Sequence, residues 1–113
     1  MRKKITYLQV LDEIYSTVSS RIISKNNKSY TNKLIGQGNK KIAQKVLEES
    51  SELVIDFLKG TKKRTLEEVS DLLYHVIVLL RVKGISPKDV AKELRSRYKK
   101  KWNTTIPIFL IKF

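Results

Sequence analysis

The chain has 113 residues, enough to bury a core as one domain without disulfides or structural zinc. Its 41% hydrophobic and 31% charged residues suit a soluble globular protein, and the absence of cysteine excludes a disulfide framework, a thiol nucleophile and a thiolate metal site. Twenty-four Lys and Arg against eleven Asp and Glu give a formal charge of +13, which points to an anionic partner, either nucleic acid or a phosphate-rich small molecule.

The first residues, MRKKITYLQVLDEIY, are basic and then apolar, as in a signal peptide. Asp12 and Glu13 interrupt the apolar part, however, and no small-residue cleavage site follows. No apolar run approaches the ~20 residues that a membrane span needs. A cytoplasmic protein with no membrane partner is the expectation. The same segment opens a helix predicted over about residues 5–24, because Leu8, Leu11, Ile14, Tyr15, Val18 and Ile22 recur at three- and four-residue spacing. SKNNKS then breaks the pattern.

Residues 29–38, SYTNKLIGQG, read as a connector with one helical turn ending at Gly36 or Gly38. Two glycines one residue apart serve either as helix punctuation or as a phosphate-cradling loop. The second reading lacks the preceding strand and the rest of a phosphate-binding signature. A second helix is predicted from Asn39, as N-cap, to Leu58, with Gly60 as its stop. At ~100° per residue, Ile42, Val46, Leu53 and Phe57 form one apolar stripe. Lys45, Glu48, Glu49, Glu52 and Asp56 fall on the strip beside it. A solvated face should lie opposite the core and mix its signs, whereas this one borders the core and is nearly all acid. Like charges at such spacing repel, so something positive should compensate them.

TKKR reads as a loop, and the third helix is predicted from Thr65 to about Val82, before Gly84. Thr65-Leu-Glu-Glu68 has the form of a capping box. That is one role open to Glu68, but it leaves Asp71 unexplained. The run from Val69 to Val82 is apolar nearly all round, as in a helix buried in a bundle or a dimer interface. Acids are seldom buried there unless paired or metal-bound. ISPKD announces a fourth helix, with Ser86 as N-cap and Pro87 at the first helical position. It continues through Val90, Leu94 and Tyr98 into a basic end at 99–101, either solvated or in contact with phosphate. The tail at 103–113 is strand-like in composition and should be covered by another surface, such as a second subunit.

Residues 45–75 hold seven of the eleven acids: Glu48, Glu49, Glu52, Asp56, Glu67, Glu68 and Asp71. Helices joined by a short loop are usually antiparallel neighbours, which would set Glu49 and Glu52 opposite Glu68 and Asp71, with Glu48 able to join Glu52. Four or five carboxylates with no His or Cys suit Mg²⁺ or Mn²⁺ shared with substrate phosphates. The metal would neutralise phosphate charge and orient a water. A di-iron bundle would need Glu-x-x-His pairs, and His75 is the sole histidine.

ExxE followed by ExxD on successive helices resembles the all-α NTP pyrophosphatase (MazG-like) superfamily. SYTNKL at 29–34, KKIAQKVLEESSELV at 40–54, LKG at 58–60, EEVSDLLYHVIVLL at 67–80 and RVKGIS at 81–86 make the chain similar, over about residues 8–97, to the phosphoribosyl-ATP pyrophosphohydrolase family. The resemblance implies an all-α fold and metal-dependent release of pyrophosphate from 1-(5-phosphoribosyl)-ATP, in the second step of histidine biosynthesis. It also implies metal ligation by Glu49, Glu52, Glu68 and Asp71, with Glu48 either an added ligand or a base that helps activate water. Lys45 is placed for a substrate phosphate, and Thr31 and Lys33 match the segment that precedes the site. His75 is either a substrate contact or a bonded core histidine, and Tyr30 either touches the nucleotide or packs. Leu47, Ser50 and Ser51 stand where the family pattern has Gly, Ala and Val, which bears on packing rather than chemistry.

The expected architecture is one all-α domain over 1–113, its core at about 5–100. It would be an antiparallel bundle of four main helices completed as a homodimer through the third. A dNTP or dUTP pyrophosphatase would use the same chemistry. A nucleic-acid-binding helical protein would instead bind in a salt-sensitive, metal-independent way, but it leaves the inward acids unexplained.

Overall fold

A computed structural model describes residues 6–24 and 29–102, and within them every element is helical. They are α1 (Tyr7–Ser24), α2 (Tyr30–Gly36), α3 (Asn39–Lys59), α4 (Lys62–Lys83) and α5 (Pro87–Arg97), followed by a π-helical turn, Tyr98–Trp102. The tail at 103–113 and its expected strand character lie outside the described residues, as do residues 25–28 of the expected break.

The connector is more regular than its composition suggested. Ser29 caps α2 by accepting a 3.0 Å bond from the Asn32 amide. Two other boundaries correct the sequence reading. Gly38, at φ 95°, occupies the N-cap of α3, and Asn39 is already helical. The left-handed φ is one that glycine adopts without penalty, and it lets the chain turn sharply from α2 into α3. At the next junction Thr61, not Thr65, caps α4, accepting a 3.1 Å bond from the Arg64 amide. TKKR is thus the first turn of a helix. Thr65 lies inside it and donates to the Thr61 and Asp56 carbonyls at 3.0 and 3.2 Å, so the expected Thr65–Glu68 capping box does not form. Thr61 competes successfully because it sits directly after the glycine that ends α3.

The C-terminal junction follows the sequence. Gly84 closes α4 in the left-handed conformation at φ 80°, and Ser86 and Asp89 form a complete capping box on α5.

The core draws on four helices. Val18, Leu34, Ile42, Ile77 and Val78 are buried, with Leu11, Ile14, Tyr15, Ile22, Ile35, Tyr74 and Leu79 packed against them. Each fully buried aliphatic side chain of this kind contributes roughly 1.5–3 kcal/mol. α3 and α4 pack extensively along each other, and α1 crosses onto α4 and α5. Phe57 departs from its expected place in the apolar stripe and is 74% exposed; Leu47, Val54, Ile55, Leu58 and Leu66 are exposed as well. Phe57 lies close to the C-terminal end of α3, beyond the reach of the core. α4 is likewise only partly enclosed: Ile77 and Val78 are buried, whereas Val82 is not. Among the described residues no helix is long and apolar enough to cross a membrane.

Candidate active site

The α3–α4 pair brings the acids together. Glu49 and Glu68 are only 7% and 4% exposed, and Asp71 stands at the solvent side of the same point. One carboxylate oxygen from each of the three lies within 4.8 Å of the others. Both buried carboxylates are half-compensated. Lys45 Nζ is 3.5 Å from Glu49 Oε1, and Arg64 Nη2 donates to Glu68 Oε1 at 2.8 Å. The second oxygen of each, Glu49 Oε2 and Glu68 Oε2, is buried and has no protein donor. A buried charged oxygen without a partner is costly. Two of them beside a third carboxylate, all hard oxygen donors, fit a hard divalent cation such as Mg²⁺ or Mn²⁺.

Glu52 is exposed and faces Glu68 from α3. Burial first, and then the facing Glu52 carboxylate, push the Glu68 carboxyl above its ordinary range, with Arg64 opposing. Glu48 lies on the exposed side of α3 and accepts bonds from Lys45 Nζ at 3.3 Å and Gln44 Nε2 at 2.9 Å. The Lys45 bond first, then that of Gln44, hold the Glu48 carboxyl below its usual value. Partial burial pulls the Lys45 ammonium down. Its bond to Glu48, together with Tyr30 and Glu49, outweighs that burial and keeps it above the ordinary lysine range.

The residues expected to bind substrate are distributed unevenly. Tyr30, the first residue of α2, is 49% exposed. Burial of the rest of its ring raises its hydroxyl pKa, with Tyr74, Glu49 and Glu48 adding to the rise and Lys45 opposing it. Its hydroxyl is 2.7 Å from His75 Nε2, and His75 Nδ1 is 2.7 Å from the Asp71 carbonyl. Thr31 is buried and its hydroxyl is bonded to that of Tyr74. Lys33 lies exposed in the last turn of α2. A cavity of ≈ 550 Å³ opens beside Tyr30, lined also by Glu13, Thr17, Arg21, Ser29 and Tyr74.

Sequence reasoning missed Arg64, the cation nearest Glu68. Placing TKKR in a loop hid it. Once α4 starts at Lys62, Arg64 and Glu68 become an i, i+4 pair, and Arg64 also reaches Glu67 at 3.3 Å and Asp56 at 3.8 Å.

The sequence profile of the family described as phosphoribosyl-ATP pyrophosphohydrolase matches residues 11–98. The chain belongs to that family. Its similar relatives include proteins named phosphoribosyl-ATP pyrophosphatase from Sulfurisphaera tokodaii, 44% identical over 90 residues, and Sulfolobus acidocaldarius, 45% identical over 91 residues. A third, from Saccharolobus solfataricus, is 37% identical over 91 residues. The matched segment covers 80% of this chain in each case, and 96%, 96% and 97% of the three relatives respectively. The phosphoribosyl-ATP pyrophosphohydrolases are hydrolases by name, and the matched segment contains every acid of the cluster.

Proposed function

We propose that this protein hydrolyses the α–β phosphoanhydride of 1-(5-phosphoribosyl)-ATP, giving phosphoribosyl-AMP and pyrophosphate, the second step of histidine biosynthesis. The observation that carries the reading is the pair of buried, donor-less carboxylate oxygens on Glu49 and Glu68, grouped with Asp71 in a member of this family. Glu49, Glu68 and Asp71 would hold Mg²⁺ or Mn²⁺, with Glu52 a fourth carboxylate at the edge. The ion supplies charge neutralisation at the phosphates.

The protein's own groups do the rest. Glu48 stays ionised at neutral pH and is the base that accepts a proton from the attacking water. Lys45 stays protonated beside Glu48 and Glu49, where its ammonium can pair with a phosphate of the substrate. Arg64 keeps one oxygen of Glu68 satisfied and so holds that side chain in place. The high positive charge of the chain steers a polyanionic substrate toward a site that is itself acidic until metal binds. The exposed Tyr30 and Lys33 would face the rest of the substrate, and the buried His75 and Thr31, bonded to Tyr30 and Tyr74, would support that side of the site.

We also propose that the helices form an antiparallel bundle of four main helices completed by a second copy. Leu47, Val54 and Leu58 recur along the face of α3 turned away from Glu49, and all are exposed. In a dimer this face would lose water, as the apolar length of α4 also favours.

The deciding experiment is an assay of purified protein with phosphoribosyl-ATP and Mg²⁺, run beside a panel of dNTPs and dUTP. Pyrophosphate and phosphoribosyl-AMP should appear, and a chelator should stop them. No release from phosphoribosyl-ATP, or undiminished release by Glu49→Gln, overturns the proposal.

A further inference from the structure

His75 is 6% exposed, and both of its ring nitrogens are engaged within the protein. A carbonyl oxygen can only accept, so Nδ1 carries the proton that goes to Asp71 O. In the neutral ring Nε2 is then the acceptor for the Tyr30 hydroxyl. The Tyr30 ring stands edge-on to His75 at 5.7 Å and 84°, and lies 6.3 Å from Tyr74. Tyr74 is itself edge-on to His75 at 5.4 Å.

Tyr30 is half exposed, so burial alone does not fix its position. A tyrosine at the first position of a short helix would ordinarily sample several rotamers, and a bond to a buried imidazole selects one. The selected position gives the ring two neighbours. On one side its hydroxyl, bonded to His75 and through it to the Asp71 carbonyl, lies within electrostatic range of Lys45, Glu49 and Glu48. On the other it lines the ≈ 550 Å³ cavity between α1, α2 and α4. That volume suits a small-molecule site. Arg21, Glu13, Thr17 and Ser29 line it around Ile14 and Val18, with the Thr17 hydroxyl donating to the Glu13 carbonyl and the Ser29 hydroxyl accepting from the Asn32 amide. Guanidinium suits a phosphate, and carboxylate and hydroxyl groups suit sugar hydroxyls.

We propose that His75 is a positioning residue that fixes Tyr30 as the partition between the carboxylate cluster and this cavity, and that the cavity receives a ribose 5-phosphate group, the end of the substrate remote from the anhydride. The inference rests on the phosphoribosyl-ATP reading and names its specificity site. Recognition of the remote end is what distinguishes that substrate from a plain nucleoside triphosphate.

The test separates the remote end from the triphosphate by measuring KM for phosphoribosyl-ATP and the inhibition constant of ATP, which lacks the second sugar phosphate. Tyr30→Phe deletes the hydroxyl. His75→Asn keeps an amide near Nδ1 for the Asp71 carbonyl but cannot reach Tyr30. His75→Gln puts its amide near Nε2 and preserves the Tyr30 contact. Tyr30→Phe and His75→Asn should each raise KM about five- to tenfold, as losing one hydrogen bond does, with less than about a twofold change in the ATP constant. The double variant should be no worse than either single one, because both remove the same bond. His75→Gln should recover most of the loss.

Equal losses toward both ligands, or additive losses in the double variant, overturn the positioning role. Calorimetry with ribose 5-phosphate alone tests the cavity without turnover: the wild type should bind it, and Arg21→Met should bind it at least about tenfold more weakly. Absence of ribose 5-phosphate binding overturns the cavity assignment while leaving pyrophosphate release intact. Absence of pyrophosphate release in the wild type overturns the reaction while leaving the cavity measurable.

Discussion

Glu49 on α3 and Glu68 on α4 each place one oxygen against a cation of their own helix and leave the other buried without a donor. The relationship is the same on both helices. Lys45 precedes Glu49 by four residues and Arg64 precedes Glu68 by four, so each helix supplies one buried carboxylate and the cation that pairs with it.

Metal should therefore stabilise the fold as well as support turnover. Mg²⁺ at a hundredfold excess over its Kd should add about 2.7 kcal/mol, seen as a rise in Tm. Glu49→Gln should lose that rise and at least about a hundredfold in kcat. A Glu49→Gln protein that still gains wild-type stability from Mg²⁺ would remove Glu49 from the ligand set.

Glu68 makes the metal-free protein pH-sensitive. Its folded carboxyl pKa is raised by burial and by Glu52, so folding favours its protonated form. This contribution is fully present below the unfolded carboxyl value and is lost as pH rises through the folded one. In chelator, Tm of the wild type relative to Glu68→Gln should fall as pH rises from about 4 to 7, and Mg²⁺ should abolish the difference in slope. Parallel Tm curves for the two proteins in chelator would refute it.

Asp89 works in the opposite direction. Its backbone bond with Ser86 first, then the bond to the Ser86 side chain, hold its carboxyl below the ordinary value. Its contribution is present above the unfolded carboxyl value and disappears as pH falls through the lowered folded one. Asp89→Asn should flatten the acid limb of the stability curve. Ser86→Ala should cost about 1 kcal/mol at neutral pH by removing the cap on α5. Chemical denaturation at several pH values checks both, and an unchanged acid limb in Asp89→Asn counts against the capping box as its cause.

Gly84→Ala forces a Cβ into a left-handed position at φ 80° although nothing crowds it. A destabilisation of about 1 kcal/mol is expected, with Gly84→Asn milder because asparagine tolerates that conformation better. Denaturant midpoints rank the three proteins, and alanine matching glycine would show that the junction relaxes.

The exposed stripe on α3 carries the oligomer prediction. Leu58→Glu should shift the protein from dimer to monomer in light scattering, with far-UV helicity retained, because one charge in an apolar interface opposes association. A wild type that is already monomeric would refute the proposed second copy.

Much of this site was legible in one dimension. Helix periodicity set Glu49 at the edge of an apolar stripe, whereas Asp71, expected to be inward on a nearly all-apolar helix, stands exposed at the solvent side of the cluster. Those expectations needed only residue type and spacing, which fix what one helix presents on each face. Whether two faces meet, and what neutralises them, depends on where the helices begin and which core they share. The capping competition between Thr61 and Thr65 was decided by the end of α3, and it alone moved Arg64 from loop to helix and gave Glu68 its cation. Phe57 carried the right periodicity but sits past the end of the core, so its burial was never a local property. The bond from Tyr30 to His75 spans 45 residues and leaves no periodic trace, because only the tertiary fold brings the phenol at the start of α2 to the imidazole of α4.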